Sequence, residues 1–145
     1  MSAVSIRRMV AADGAAVTSL SQDLGYEVTR AQVYERIGSF DNDPLAVAYV
    51  ALVDGAVVGW IQAHDRRLIQ YPRVLEIGGI AVSAACREKG IGRRLIEEVV
   101  NWGRVRGHAL LWVRSGAQRL ETHQFYEAVG FEREKTSYTF SLSIG

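Results

Sequence analysis

Arg87-Glu88-Lys89-Gly90-Ile91-Gly92-Arg93 is the stretch on which the fold turns. It stands between an apolar run, Val74 to Val82, and a segment whose Ile91, Leu95, Val99 and Trp102 recur at helical spacing. Strand, glycine loop and helix in that order make a place for phosphate. Gly90 and Gly92 let the backbone come close to an anion, and the helix start offers unpaired N–H groups and the positive end of its dipole. Arg87, Lys89 and Arg93 add charge. Two familiar phosphate loops are excluded. A dinucleotide fingerprint needs a third small residue where Leu95 stands, and a P-loop needs a Lys-Ser/Thr pair after its last glycine.

Working outward, the apolar runs Leu45 to Val53 and Ala56 to His64 flank Asp54-Gly55, a two-residue hairpin signal. Val4 to Met9 reads as a first strand. Asp13 then stands where a helix cap would before Val17, Leu20 and Leu24, and Gly25 stops that helix. Thr29 caps a second helix carrying Val33 and Ile37. Beyond the long helix, Gly107 precedes a buried-type strand at Ala109 to Val113, and Glu121 to Val129 reads as a short helix stopped by Gly130. Tyr138, Phe140, Leu142 and Ile144 alternate as a closing strand. The predicted order is β, α, α, β, β, β, α, β, α, β, a mixed α/β (α+β) arrangement in a single domain over residues 1–145.

Composition narrows the function. The chain has 145 residues, 48% of them apolar, which is ample for a core. Its 17 basic and 16 acidic residues leave a charge of +1, and no polybasic run marks a nucleic-acid surface. Met1-Ser2-Ala3-Val4 lacks the basic flank and apolar stretch of a signal peptide, and no apolar run approaches a membrane span, so the expected setting is cytoplasmic with no membrane partner. Cys86 is a lone cysteine, and no His/Cys cluster has metal-ligand spacing, so no metal is expected.

Three elements in order, Ile80-Ala81-Val82, the RxxGxG loop from Arg87 to Gly92, and Phe125-Tyr126-Glu127-Ala128-Val129-Gly130-Phe131, resemble the core of the GNAT superfamily of acyl-CoA-dependent N-acetyltransferases. The motif-level likeness runs from Glu76 to Glu132, and the preceding strand, helices and hairpin fit the family's usual beginning. The resemblance implies a partly antiparallel sheet flanked by helices, with its fourth and fifth strands splayed apart. It also implies acetyl-CoA as co-substrate and acetyl transfer to a primary amine. Ile80, Ala81 and Val82 would pair with the pantetheine arm, and Arg87, Glu88, Lys89, Gly90, Ile91, Gly92 and Arg93 would hold the pyrophosphate. Tyr126 matches the tyrosine that often protonates the departing thiolate. Glu76 stands where several members carry the glutamate that removes the amine proton.

The residues themselves leave alternatives open. Glu76 in an otherwise apolar strand is a base held by burial or a solvated edge carboxylate, and the Gly78-Gly79 pair, read as a β-bulge, leaves its face undecided. Pairing of Phe125 with Val129 at i, i+4 would put Phe125 in the core and turn Tyr126 to a neighbouring face. His123, on the side of the helix near Tyr126, is a candidate CoA contact or alternative base. By the same resemblance the acceptor site is expected around Tyr26 and Glu27 and in the loop Asp65 to Arg73, which holds Tyr71. Arg66, Arg67 and Arg73 there would suit an acceptor bearing an anion if they are not simply solvated. The stretch around Arg119 and Thr122 departs from the family's usual Asn and Ala and is closer to a subgroup with small-amine and antibiotic acetyltransferases. A small-molecule amine is thus the expected acceptor. A protein N-terminus or lysine, and a non-catalytic acyl-CoA sensor, are the competing functions. The family often forms homodimers, and the apolar C-terminal strand offers a surface for that.

Overall fold

The computed structural model describes residues 3–87, 89–116 and 118–145, and the chain divides into two compact units, 1–113 and 114–145. Unit one holds a five-stranded sheet in sequence order: β1 (Val4–Arg8), β2 (Ala46–Val53), β3 (Ala56–Arg66), β4 (Val74–Val82) and β5 (Leu111–Val113). The first three pairings are antiparallel, and β4 with β5 is parallel. Asp54 and Gly55 both adopt positive φ, 51° and 79°, as the two-residue turn joining β2 and β3 requires.

Helices α1 (Gly14–Asp23) and α2 (Arg30–Asp41) connect β1 to β2. Thr29 Oγ1 accepts from the Gln32 N–H at 3.2 Å while Gln32 Oε1 accepts from the Thr29 N–H at 3.0 Å, a reciprocal capping box. The expected cap of α1 differs. Asp13 makes no side-chain cap bond to the helix. Its buried carboxylate instead accepts two hydrogen bonds from Arg7, both 2.8 Å, and one from the Val10 N–H, also 2.8 Å. Burial pushes this carboxyl upward, but those three donors outweigh it and hold it below the usual carboxylate range.

Met9, Val17, Val33, Ile37, Ala48 and Val50 form the core between the sheet and α1 and α2, with Trp60 packed against it. The opposite face takes α3 (Ile91–Val105), whose Ile91, Leu95, Ile96 and Val99 are fully buried, as their spacing predicts. Gly103 marks how closely α3 sits on β4, since a Cβ there would come within 2.6 Å of Leu75.

Unit two contains α4 (Leu120–Val129), which ends where Gly130 takes a φ of 121°. The predicted closing strand is absent: residues 131–145 form no strand within the chain, and Tyr138, Phe140, Leu142 and Ile144 are exposed. Alternation fixes what a strand would look like but supplies no neighbour for its backbone to pair with. No helix among the described residues is long and apolar enough to cross a membrane.

Candidate functional site

Two features of β4 build the site. The first is a bulge. In the β3–β4 register Gln62 opposes Gly79 and Ala63 opposes Ile77, so Gly78 is the extra residue. Both glycines leave room for the side chains that lie over them. A Cβ on Gly78 would fall 1.8 Å from Gln62 Nε2, and one on Gly79 would fall 2.7 Å from the Trp60 ring. The second feature is an open edge. β5 pairs only with Leu75, Glu76 and Ile77, so the strand departs from β4 at the bulge and leaves Ile80, Ala81 and Val82 without a β5 partner. This is the expected splay, and its edge N–H and C=O groups suit an extended amide-bearing ligand.

The bulge also settles the direction of Glu76. It lies directly opposite His64, on the face that carries Trp60, Gln62 and Arg66, and is only 8% exposed. Arg66 donates to Glu76 Oε1 at 3.1 Å, and His64 Nε2 lies 3.4 Å from Oε2. A solvated edge carboxylate is therefore excluded. Arg66 also stands over the Trp112 ring at 5.9 Å, and Tyr71 meets Trp112 edge-on at 5.4 Å. The structure thus brings Tyr71 into the group around Glu76. Tyr26 and Glu27 lie exposed between α1 and α2.

His64, Arg66 and Gln62 are the members that sequence reasoning passed over or placed elsewhere. Only cross-strand register brings His64 and Arg66 to Glu76, and register is not written in a single strand. Gln62 Oε1 and Trp60 Nε1, above the bulge, are buried with no hydrogen-bond partner among the described residues. Buried polar atoms of this kind call for a partner.

Arg66, Arg67 and Arg73 divide between two carboxylates. Arg67 and Arg73 turn to the other face, where each lies 3.0 and 3.1 Å from the Asp65 carboxylate. His108 Nε2 approaches the same carboxylate at 2.6 Å, and its ring stacks on Trp102. The Asp65 side chain is 1% exposed. Burial raises its carboxyl, but His108, Arg67 and Arg73 together bring it below the usual range. These arginines serve a buried carboxylate, and Arg66 alone of the three faces Glu76.

After β4 the chain passes through a short 3-10 turn, Ala84–Cys86, to Arg87, Lys89 and Gly90, all exposed. Glu88 lies outside the described residues. Gly90 is the N-cap of α3 with φ 77°, a left-handed conformation that favours glycine, and a Cβ there would meet nothing within 4 Å. The first helical bond runs from the Arg94 N–H to the Gly90 carbonyl. The N–H groups of Ile91 and Gly92 therefore precede the helical ladder and suit an anion approaching an uncrowded loop.

In unit two, α4 reverses one expectation. Phe125 is 37% exposed whereas Tyr126 is 9% exposed, with Phe125 and Phe131 rings at 5.4 and 5.5 Å from its own. The aromatic Phe131 past Gly130 draws Tyr126 inward, a contact that i, i+4 spacing on the helix does not contain. His123 Nε2 lies 2.8 Å from the Gly116 carbonyl and ties the first turn of α4 to the loop before it.

An open parallel-strand edge, a bulge with a buried carboxylate beside it, and a glycine-capped helix start define an acyl-CoA-type transferase fold. The chain matches the Acetyltransferase (GNAT) family over residues 15–131. It belongs to that family. It is 37% identical to an uncharacterized N-acetyltransferase, YhdJ, of Bacillus subtilis (strain 168) over 71 residues, 48% of this chain and 49% of that protein. It is 28% identical over 93 residues to N-acetylaspartate synthetase of Danio rerio, 63% of this chain and 32% of that protein. The matches thus span about half or less of these relatives' lengths. Among solved structures, the aminoglycoside N-acetyltransferase AAC(6')-Iy in complex with CoA superposes with a TM-score of 0.90 at 19% identity, covering 99% of this chain and 97% of that one.

Proposed function

We propose that this chain, acting as one domain in the cytoplasm and as a homodimer, transfers acetyl from acetyl-CoA to the primary amine of a small molecule in a ternary complex. The observation that carries this is the buried Glu76 carboxylate, held by Arg66 and His64 where the open edge of β4 begins. Ile80, Ala81 and Val82 pair with the pantetheine arm. The loop Arg87, Glu88, Lys89, Gly90, Ile91, Gly92 and Arg93 binds the pyrophosphate, and His123 adds a CoA contact. Glu76 removes the ammonium proton, directly or through a water, and the freed amine attacks the thioester carbonyl. A backbone N–H near Val82 stabilises the oxyanion, and the Tyr126 hydroxyl donates a proton to the leaving thiolate.

Tyr26, Glu27 and Tyr71 contact the acceptor. Glu76 is already balanced by Arg66, which supports a compact monoamine over a polycation such as an aminoglycoside, although the fold neighbour named above acts on one. Burial of Tyr126 favours a second reading, an acyl-CoA-binding module without turnover.

Purified protein is mixed with acetyl-CoA and a panel of small amines, amino acids, aminoglycosides and peptides, with thiol release and acetyl-CoA binding followed together. Binding with release driven by a small amine is the expected result. Release driven only by peptides assigns a protein acceptor, binding without release assigns the sensor, and absence of binding overturns the proposal.

A further inference from the structure

The face of the sheet that carries Glu76 has an order along β3. Trp60 opposes Ala81, Gln62 opposes Gly79, His64 opposes Glu76 and Arg66 opposes Val74. The series starts beside the open edge of β4 and runs away from it, with about 6.5–7 Å between successive residues on one face of a strand. A ligand lying along this face meets Gln62 near the open edge and Arg66 farther from it.

The two ends offer opposite chemistry. Gln62 Oε1 is a buried acceptor with no hydrogen-bond partner among the described residues, and Gly78 leaves the space that its amide fills. The N–H of an amine satisfies such an oxygen. At the other end, Arg66 donates from Nη1 to Glu76 Oε1 at 3.1 Å, using one of the five N–H donors of a guanidinium. The Arg66 side chain is 28% exposed, so the outer edge of the fork is open to a second acceptor. Trp112 lies against the guanidinium at 5.9 Å, and Tyr71 braces that indole edge-on at 5.4 Å, which holds the plane of the fork. A planar fork fixed in this way matches a carboxylate. Arg66 would then stand between Glu76 and a ligand on its outer edge, so that two carboxylates share a cation in place of facing each other.

We propose that the acceptor is a compact aminocarboxylate, its amine held by Gln62 Oε1 beside Glu76 and its carboxylate held by the outer edge of Arg66. This deepens the acetyl-transfer reading and rests on it for the chemistry. The thioester C–S bond is exchanged for an amide C–N bond. Of the two protons that the ammonium gives up, one passes to Glu76 and one to the leaving thiolate, and the product is an N-acetylated acid.

The full chain with saturating acetyl-CoA is assayed by thiol release against the common L-amino acids and β-alanine. Each acid is paired with its carboxamide and its decarboxylated amine, at pH values that give equal free amine. Calorimetry on the CoA-loaded protein reads binding of the same compounds without turnover. The expected result is an acid whose kcat/KM exceeds that of its amide and amine by about 10- to 100-fold, the worth of a charge-assisted hydrogen bond, with the same order in binding. Arg66→Gln should bring acid and amide together, whatever its absolute rate. Acids that are no better than their amides in release and binding overturn the proposal and leave acetyl transfer standing, as does a folded Arg66→Gln that keeps the preference. An acid bound over its amide with no release from any amine overturns acetyl transfer and leaves carboxylate recognition standing. If circular dichroism shows that the variant does not fold, the wild-type pairs decide.

Discussion

Replacing Glu76 by Gln tests the centre of the site, because the amide keeps the volume and removes the charge and basicity. Oε1 still accepts from Arg66, 3.1 Å away in the wild type, but the amide nitrogen brings donors towards His64, now 3.4 Å from a carboxylate oxygen. Hydrogen bonds to charged groups contribute about 1.5–3 kcal/mol. Losing the charge of this largely buried pair should therefore lower stability by an amount of that order, leaving a folded protein. The kinetic effect should be larger. A positioned general base contributes about 10²- to 10⁴-fold, which at about 1.36 kcal/mol per tenfold is about 2.7–5.5 kcal/mol of transition-state stabilisation. Thiol release from acetyl-CoA with the amine found by the panel gives kcat/KM across pH, and calorimetry gives acetyl-CoA affinity. The variant should bind acetyl-CoA as the wild type does, turn over at least a hundredfold more slowly, and lose the rise of kcat/KM with pH that a base imposes. A variant within tenfold of the wild type at every pH, still folded and binding, would show that Glu76 is not the base and that Arg66 and His64 hold it for structure alone.

Asp65→Asn should destabilise the protein by about 3–5 kcal/mol at pH 7, because it leaves His108 and two arginines around a neutral group. The wild-type carboxyl lies below its unfolded value of about 3.9, so its contribution is full above about pH 4 and is lost as pH falls through the folded value. Urea unfolding at pH 7 and below pH 4 should show the gap between the two proteins closing in acid. Gly90→Ala forces a Cβ into a left-handed conformation at φ 77° and should cost about 1–2 kcal/mol. It should weaken acetyl-CoA binding without an equal fall in kcat, read from thermal unfolding and calorimetry. Tyr126→Phe keeps the ring between Phe125 and Phe131 and should lower kcat about tenfold or more with KM for acetyl-CoA little changed. An unchanged kcat would remove the acid role and leave a packing residue.

Local signals carried most of the architecture. Asp54-Gly55 fixed the hairpin because only residues tolerant of positive φ close a two-residue turn, and the stripe from Ile91 to Trp102 fixed α3 because one helical face must be apolar. The RxxGxG loop, the strand before it and the Phe-Tyr helix after it were sufficient to place the chain in its family. Each depends on residues close together in sequence.

What the tertiary structure alone decided depends on contacts between distant segments. The bulge at Gly78 turned Glu76 to the face of His64 and Arg66, whereas strand alternation, reset by one extra residue, left its direction open. Asp65 claimed Arg67 and Arg73, because burying one carboxylate demands cations from wherever the fold can bring them. Phe131 drew Tyr126 inward against the spacing rule of its own helix. The alternation from Tyr138 to Ile144 describes a strand in sequence, but a strand's hydrogen bonds are completed only by another strand, and residues 131–145 are assigned to none.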